Sequence, residues 1–215
     1  MDPKYRCVFF DFDGVLVRSA HIKNQTFLKA AQVLAPHLTA ELEDALFGEL
    51  AGAERKTIST WIFEKTQGAI SARSFLNLFT KLIDDEAVTV DPEAIDLLDR
   101  LGKAQVQTAI VSAAPKQSIL GILKQSHCPL SSFHGIFGSE MGPKEGSLSF
   151  LLQDLGLSPD ETVMVGDMPS DLKAAHACSI PFIRFEGEQS HLASWPKEYQ
   201  TDRVRNFREL ENFLF

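Results

Sequence analysis

The stretch Val8-Phe9-Phe10-Asp11-Phe12-Asp13-Gly14-Val15-Leu16 decides how the rest of the chain is read. The run from Cys7 to Phe10 has no polar alternation, the pattern of a strand buried on both faces of a parallel sheet. In open α/β folds, chemistry gathers just beyond the carboxyl ends of such strands. Asp11 and Asp13 therefore belong at a strand tip, where Gly14 lets the backbone turn away. Residues two apart on extended backbone share a face, so both acids are expected to look into one mouth. Two carboxylates there repel each other and require a cation between them.

At 215 residues the chain is long enough for one or two domains with a substantial core. Its apolar fraction of 44% and charged fraction of 23% are those of an ordinary globular protein. The formal net charge of −8 argues against nucleic acid or an acidic membrane surface as partner, because no basic surplus exists to neutralise phosphates. A small phosphorylated substrate is compatible with it, since a metal and a few local cations suffice. Cys7, Cys128 and Cys178 are widely separated and read as reduced thiols. The N-terminus lacks the pattern of a secretory signal and no apolar run reaches transmembrane length, so a cytoplasmic protein is expected.

Outward from the opening strand, residues 17–87 change to helical spacing. Phe27, Ala30, Ala31 and Leu34 share a face on a helix that Pro36 ends. Further helices are expected over 38–50, over 53–66 with Ile58, Trp61 and Ile62 inward, and over 71–85 with Phe75, Leu78, Phe79 and Leu82 inward. These four amphipathic helices with short loops form a small bundle. From Val88 the rhythm becomes helix and strand. Buried strands are expected at 107–112, 133–137, 162–165 and 181–185, with helices over 92–102, 115–126, 144–155, 170–178 and 207–214. The fold class is thus α/β, a Rossmann-like parallel sheet with helices on both faces, carrying an inserted α-helical bundle. The expected organisation is a core of residues 1–16 and 88–215, with residues 17–87 as a helical cap placed after the first strand.

Four segments bring polar residues to points where buried elements meet loops. They are Asp11/Asp13, Ser112 with Lys116 a turn later, Lys144 after Gly142-Pro143, and Gly166-Asp167-Met168-Pro169-Ser170-Asp171. Asp11, Asp167 and Asp171 offer hard oxygen ligands of the kind Mg²⁺ takes. Phosphoryl transfer needs in-line attack and neutralised equatorial oxygens. One carboxylate can serve as nucleophile, forming an aspartyl phosphate. Lys144 would shield its charge, Ser112 would hold the phosphoryl group, and Asp13 would protonate the leaving oxygen and then activate water.

Asp11-Phe12-Asp13-Gly14-Val15, Ser112, Lys144 and Gly166-Asp167-x-x-x-Asp171 resemble, in order and spacing, the four motifs of the haloacid dehalogenase-like superfamily. The helical insert resembles the cap of the branch that holds phosphoglycolate phosphatases and β-phosphoglucomutases. The resemblance covers essentially the whole chain. It implies that Asp11 is nucleophile and metal ligand, and that Asp13 is the acid/base and lends its backbone carbonyl to Mg²⁺. It also implies that Asp167 is a ligand, that Asp171 is a ligand or a partner of one, and that Ser112 and Lys144 bind phosphate. The metal set is then Asp11, Asp13, Asp167 and Asp171. In the cap, Arg55 is the candidate substrate contact, with Gly52 and Lys56 as further guesses.

Some positions depart from that pattern. Arg18 and Met168 replace the commoner acid and hydroxyl residue, and Ala51 and Lys23 stand where the mutases carry lysine and histidine. With Asp171 present, the departures at Ala51 and Lys23 favour a phosphatase over a mutase, and Asp13 favours phosphoryl chemistry over dehalogenation. The expected function is therefore a Mg²⁺-dependent phosphoric monoester hydrolase acting on a small phosphorylated metabolite. A β-phosphoglucomutase-like mutase and a phospho-ligand-binding protein without turnover are the alternatives. Monomer and homodimer are left open.

Overall fold

Cys7–Phe10 forms a strand (β1) whose four residues are all buried, as the unbroken apolar run requires. In this computed structural model, which describes residues 2–50, 53, 55–84, 86, 88–186, 195 and 201–215, β1 lies inside a parallel sheet. The other strands are β2 (Gln107–Val111), β3 (Gly135–Phe137), β4 (Thr162–Gly166), β5 (Phe182–Phe185) and β6 (Asp202–Val204). Their order is β3-β2-β1-β4-β5-β6, and every pair is parallel. The chain builds outward from β1 to β3 on one side and then resumes at β4 on the other. The strand order therefore reverses between β1 and β4, where a crevice opens at the carboxyl ends.

Helices cover both faces. The described residues outside the inserted segment carry α5 (Pro92–Lys103), α6 (Lys116–Gln125), α7 (Lys144–Leu155), α8 (Pro169–Ala177) and α9 (Phe207–Leu214). Cys7, Phe9, Ala109, Val111 and Met164 form one core with Leu148 and Leu151 of α7 and Ala174 and Ala175 of α8. Alternation turns Val8, Phe10, Ile110, Val163 and Val165 to the opposite face, and these are equally buried. On that side α5 packs on β2 and on α9; Phe207 of α9 meets Phe185 of β5 with ring centroids 5.0 Å apart. Helix starts follow local chemistry. Asp91 accepts the Glu93 N–H at 2.9 Å ahead of Pro92, and Asn206 accepts the Glu209 N–H at 2.9 Å, each satisfying an orphan donor.

The chain divides into two units, Met1–Arg18 with Thr89–Phe215, and Ser19–Val88. The second is the bundle of α1 (Ala20–Leu34), α2 (Thr39–Phe47), α3 (Arg55–Lys65) and α4 (Ala72–Asp84). Phe27 stacks on Phe79 at 4.1 Å and lies parallel to Phe75 at 6.3 Å. Ile58, Trp61, Ile62, Leu42 and Leu46 complete the core. The stripe of aromatics at helical spacing is thus core. Pro36 ends α1 by starting a 3₁₀ turn, and Gly68, at φ +83°, closes α3 by donating its N–H to Phe63 O at 2.8 Å.

Among the described residues the strand and helix boundaries fall within a few residues of expectation, and β6 is a strand that the sequence pattern does not predict. It is three residues long, with Asp202 and Arg203 exposed and only Val204 buried, so it lacks the apolar run that marks the other strands. No helix among the described residues is long and apolar enough to cross a membrane.

Candidate active site

The β1 ladder runs one residue past the strand, because the Asp11 N–H donates to Val165 O of β4 at 2.9 Å. That bond fixes Asp11 at the point where the strand order reverses. Its Oδ1 accepts the Phe12 N–H at 2.7 Å and lies 2.9 Å from Lys144 Nζ. The loop behind it is tight: Val17 N–H donates to Phe12 O at 3.0 Å and Gly14 N–H to Val17 O at 2.8 Å. Gly14 is required on two counts. It sits at φ +81°, and a Cβ there would come within 1.9 Å of Asp167 Oδ2. The Asp167 carboxylate thus packs directly on the backbone of the Asp11/Asp13 loop.

The β4 end supplies the other acids. A Cβ on Gly166 would lie 2.4 Å from Asp171 Cβ, so glycine lets the first turn of α8 close against the strand. Asp171 is fully buried. Its Oδ2 accepts the Met168 N–H at 3.0 Å and its Oδ1 accepts from Lys144 Nζ at 2.5 Å. The methionine in place of a hydroxyl residue therefore leaves this backbone contact intact. Lys144 opens α7 behind Pro143, and its ammonium bridges Asp11 and Asp171.

Asp11, Asp167 and Asp171 are buried, and one carboxylate oxygen from each lies within 4.8 Å of the other two. Burial and the neighbouring Asp171 charge push the Asp11 carboxyl up to about 7, against the pull of Lys144. For Lys144, burial works to lower the ammonium's pKa, but Asp11 and Asp171 outweigh it and hold the pKa above its ordinary value. Three clustered carboxylates and one ammonium, which bridges two of them, leave an excess of negative charge that a divalent cation would compensate. The donors are hard oxygens, and they fit Mg²⁺. Asp13, half-buried in the loop after β1, is not one of the three clustered carboxylates.

Ser112 follows β2 directly. With Phe10 paired to Ile110, Ser112 stands one residue beyond the level of Asp11. Its N–H donates to Phe137 O at 2.9 Å, and its Oγ accepts the Ala114 N–H at 3.1 Å. The hydroxyl shapes a turn here and does not cap α6, whose preceding residue is Pro115. Lys116 is exposed at the first position of α6. In the helical unit, the Arg55 guanidinium lies 5.2 Å from the Phe79 ring centroid, and Lys56 is exposed beside it on α3. Ala51 and Gly52 lie outside the described residues. Arg18 pairs with Asp91, Nε to Oδ2 at 2.9 Å, within the sheet unit.

A profile of haloacid dehalogenase-like hydrolases matches residues 5–179. Phosphoglycolate phosphatase 1 of Pseudomonas aeruginosa is 25% identical over an alignment covering 95% of this chain and 78% of that protein. Phosphoglycolate phosphatase of Pseudomonas putida is 29% identical, covering 83% and 68%. Among solved structures, CbbY from Rhodobacter sphaeroides in complex with xylulose-1,5-bisphosphate is 15% identical. It superposes with a TM-score of 0.75 over 96% of both chains, a likeness of fold. Because the family profile runs through all four segments that meet at the sheet's edge, from Asp11 to Asp171, the chain belongs to the haloacid dehalogenase-like hydrolase family.

Proposed function

We propose that this hydrolase is a phosphatase that cleaves a small phosphomonoester through an aspartyl phosphate on Asp11. The observation that carries this reading is the Lys144 ammonium, 2.9 Å from Asp11 and 2.5 Å from Asp171, beside the buried Asp167. That arrangement holds a carboxylate poised for attack next to a fixed positive charge, which a phosphate dianion needs in order to approach.

Asp11 attacks phosphorus in line with the ester oxygen. The Asp11 O–P bond forms, the P–O bond to the alcohol breaks, and Asp13 donates a proton to the departing oxygen. Water then attacks the same phosphorus, giving a proton back to Asp13, and phosphate leaves with Asp11 restored. Lys144 neutralises an equatorial oxygen throughout. Ser112 Oγ accepts from Ala114 N–H, so its own proton is left to donate to the phosphoryl group. Asp11, Asp167 and the Asp13 backbone carbonyl would hold Mg²⁺, with Asp171 as a further ligand or as the partner of one. When bound, the ion supplies further charge neutralisation at the transferred group.

The helical unit follows the Asp11/Asp13 loop in the chain, and we assign to it, as a cap of residues 17–87, the selection of the leaving group. Arg55 is its candidate contact. The names of the curated relatives make 2-phosphoglycolate the first ester to try. The three free cysteines support a reducing, cytoplasmic setting. The test is phosphate release from a panel of phosphomonoesters, with and without Mg²⁺, for the native chain and Asp11→Asn. The expected result is Mg²⁺-dependent release that Asp11→Asn abolishes. Equal release by both proteins, or none from any ester, would overturn the reading.

A further inference from the structure

Two loops deliver the groups assigned to the phosphoryl oxygens, and a third contact decides whether they stay in register. Ser112 begins the loop 112–115 between β2 and α6. Lys144 opens α7 directly after the loop 138–143 that leaves β3. The strands feeding them pair only through Val111 and Phe137 at this end, followed by the Ser112 N–H to Phe137 O bond at 2.9 Å. Beyond that point the ladder stops.

What continues the connection is a clasp. Ser139 N–H donates to Ala114 O at 3.0 Å. The Glu140 carboxylate receives the Lys116 N–H with both oxygens at 3.2 Å. Gly138 brings the two backbones together: a Cβ there would lie 2.4 Å from Lys116 N and 2.7 Å from Ala114 O. Gly138 has an ordinary extended conformation, φ −102° and ψ −176°, so close approach is the reason for glycine at this position. The start of α6 needs such a partner. Pro115 has no N–H and offers no side-chain acceptor of its own, so the first amides of α6 depend on another segment for partners. Glu140 reaches across from the other loop and puts a negative charge at the positive end of α6.

We infer that Glu140 is a positioning residue, which holds Ser112 at a fixed distance from Lys144 by clasping the first amide of α6 to the loop that carries the lysine. The inference rests on the phosphatase reading, since that reading gives Ser112 and Lys144 their common task. Glu140 is exposed, so truncating it should leave the fold in place.

The experiment compares the full chain with Glu140→Ala and Glu140→Gln in Mg²⁺. It measures kcat and KM on the best ester of the panel, competitive inhibition by inorganic phosphate, thermal midpoint, and hydrogen exchange of the Lys116 amide. Glu140→Ala should exchange faster at Lys116, lose roughly 10- to 100-fold in kcat, and bind phosphate several-fold more weakly, with a nearly unchanged midpoint. Glu140→Gln keeps an acceptor oxygen and should recover most of the loss. Gly138→Ala, which wedges the loops apart, should show the same kinetic pattern. Faster exchange with native kcat and native phosphate inhibition would overturn the positioning role, and unchanged exchange would overturn the clasp itself. Should the native chain hydrolyse no ester, the phosphatase reading falls, and the exchange at Lys116 alone then confirms or refutes the clasp.

Discussion

The two units bury different kinds of polar residue, and the difference separates an interior that gathers charge from one that is given over to packing. Among the described residues of the helical unit the buried polar ones are Ser19, Asn24, Thr26 and Ser59, all uncharged. Thr26 Oγ1 donates to Ile22 O at 2.8 Å and Ser59 Oγ to Lys56 O at 2.8 Å. Both hydroxyls are answered by their own helix and ask nothing of a ligand. In the sheet unit the buried polar residues include Asp11, Asp167, Asp171 and Arg184. Three carboxylates kept from water within one crevice are costly unless they are answered by charge. Lys144 answers part of that demand. The sheet unit gives up stability at one edge to hold clustered carboxylates, whereas the bundle spends its interior on packing.

The largest expected effect tests this contrast at its centre. Asp11→Asn should lower turnover by roughly 10⁴-fold or more, as for other removed nucleophiles. The same change removes one of three crowded acids, so the thermal midpoint of the metal-free protein should hold or rise. Steady-state kinetics and calorimetry on one preparation check both halves. A large fall in midpoint would mean that the crevice is built for stability after all. Lys144→Met goes the other way. It leaves Asp11 and Asp171 without their shared cation, so stability should fall by about 3–5 kcal/mol and turnover should fall with it. Denaturant unfolding reads the first quantity, and a native-like midpoint would show that the carboxylates find other relief.

Phe79→Ala tests the bundle. Phe→Ala in a core costs about 3–5 kcal/mol. The lower end, about 3, is expected here because Phe27, stacked at 4.1 Å, can move into the space. Hydrolysis of p-nitrophenyl phosphate, which asks little of a leaving-group pocket, should stay near native. If Arg55 contacts the leaving group as proposed, the KM for the best ester of the panel should rise, because Arg55 loses the ring it lies over. If p-nitrophenyl phosphate hydrolysis collapses to the extent expected of Asp11→Asn, the division of labour between the units is wrong.

Much of this contrast could be read before any coordinates. Apolar runs ahead of Asp11, Ser112 and Asp167 read as central parallel strands, and such strands present their next residues at one edge. Spacing also placed Phe27, Trp61, Phe75 and Phe79 inside a bundle. Other features left no local trace. Lys144 taken alone resembles any solvated lysine, and its burial between two carboxylates depends on the return of α7 to β1 and α8. Glu140 lies 24 residues from the amide it clasps. Nothing in the sequence near Gly138 shows that Lys116 N would stand where its Cβ would go. Edge strand β6 escaped because an edge needs few apolar residues. Long-range geometry, unlike periodicity, is not written in neighbouring residues.

The contrast recurs within the sheet unit, between its two ends. Opposite the crevice, Arg6 and Glu161 stand just before β1 and β4. Arg6 N–H donates to Glu161 O at 2.8 Å, and Arg6 Nη1 lies 2.8 Å from Glu161 Oε1. The pair helps set the register of the two central strands, but in water. Hydrogen bonds from Arg6, and then from the Ser158 backbone and hydroxyl, hold the Glu161 carboxyl down at about 2. A folded-state pKa below the unfolded value of about 4.3 means that this stabilisation is complete above that value and is lost as pH falls through about 2. Glu161→Gln should therefore flatten the fall in thermal midpoint between about pH 4.5 and 2, and leave the midpoint at pH 7 only slightly lowered. The effect is small because exposed ion pairs are screened by water and salt. An acid limb as steep in Glu161→Gln as in the native chain would put the acid-sensitive group elsewhere, and the buried carboxylates at the opposite edge would be the place to look.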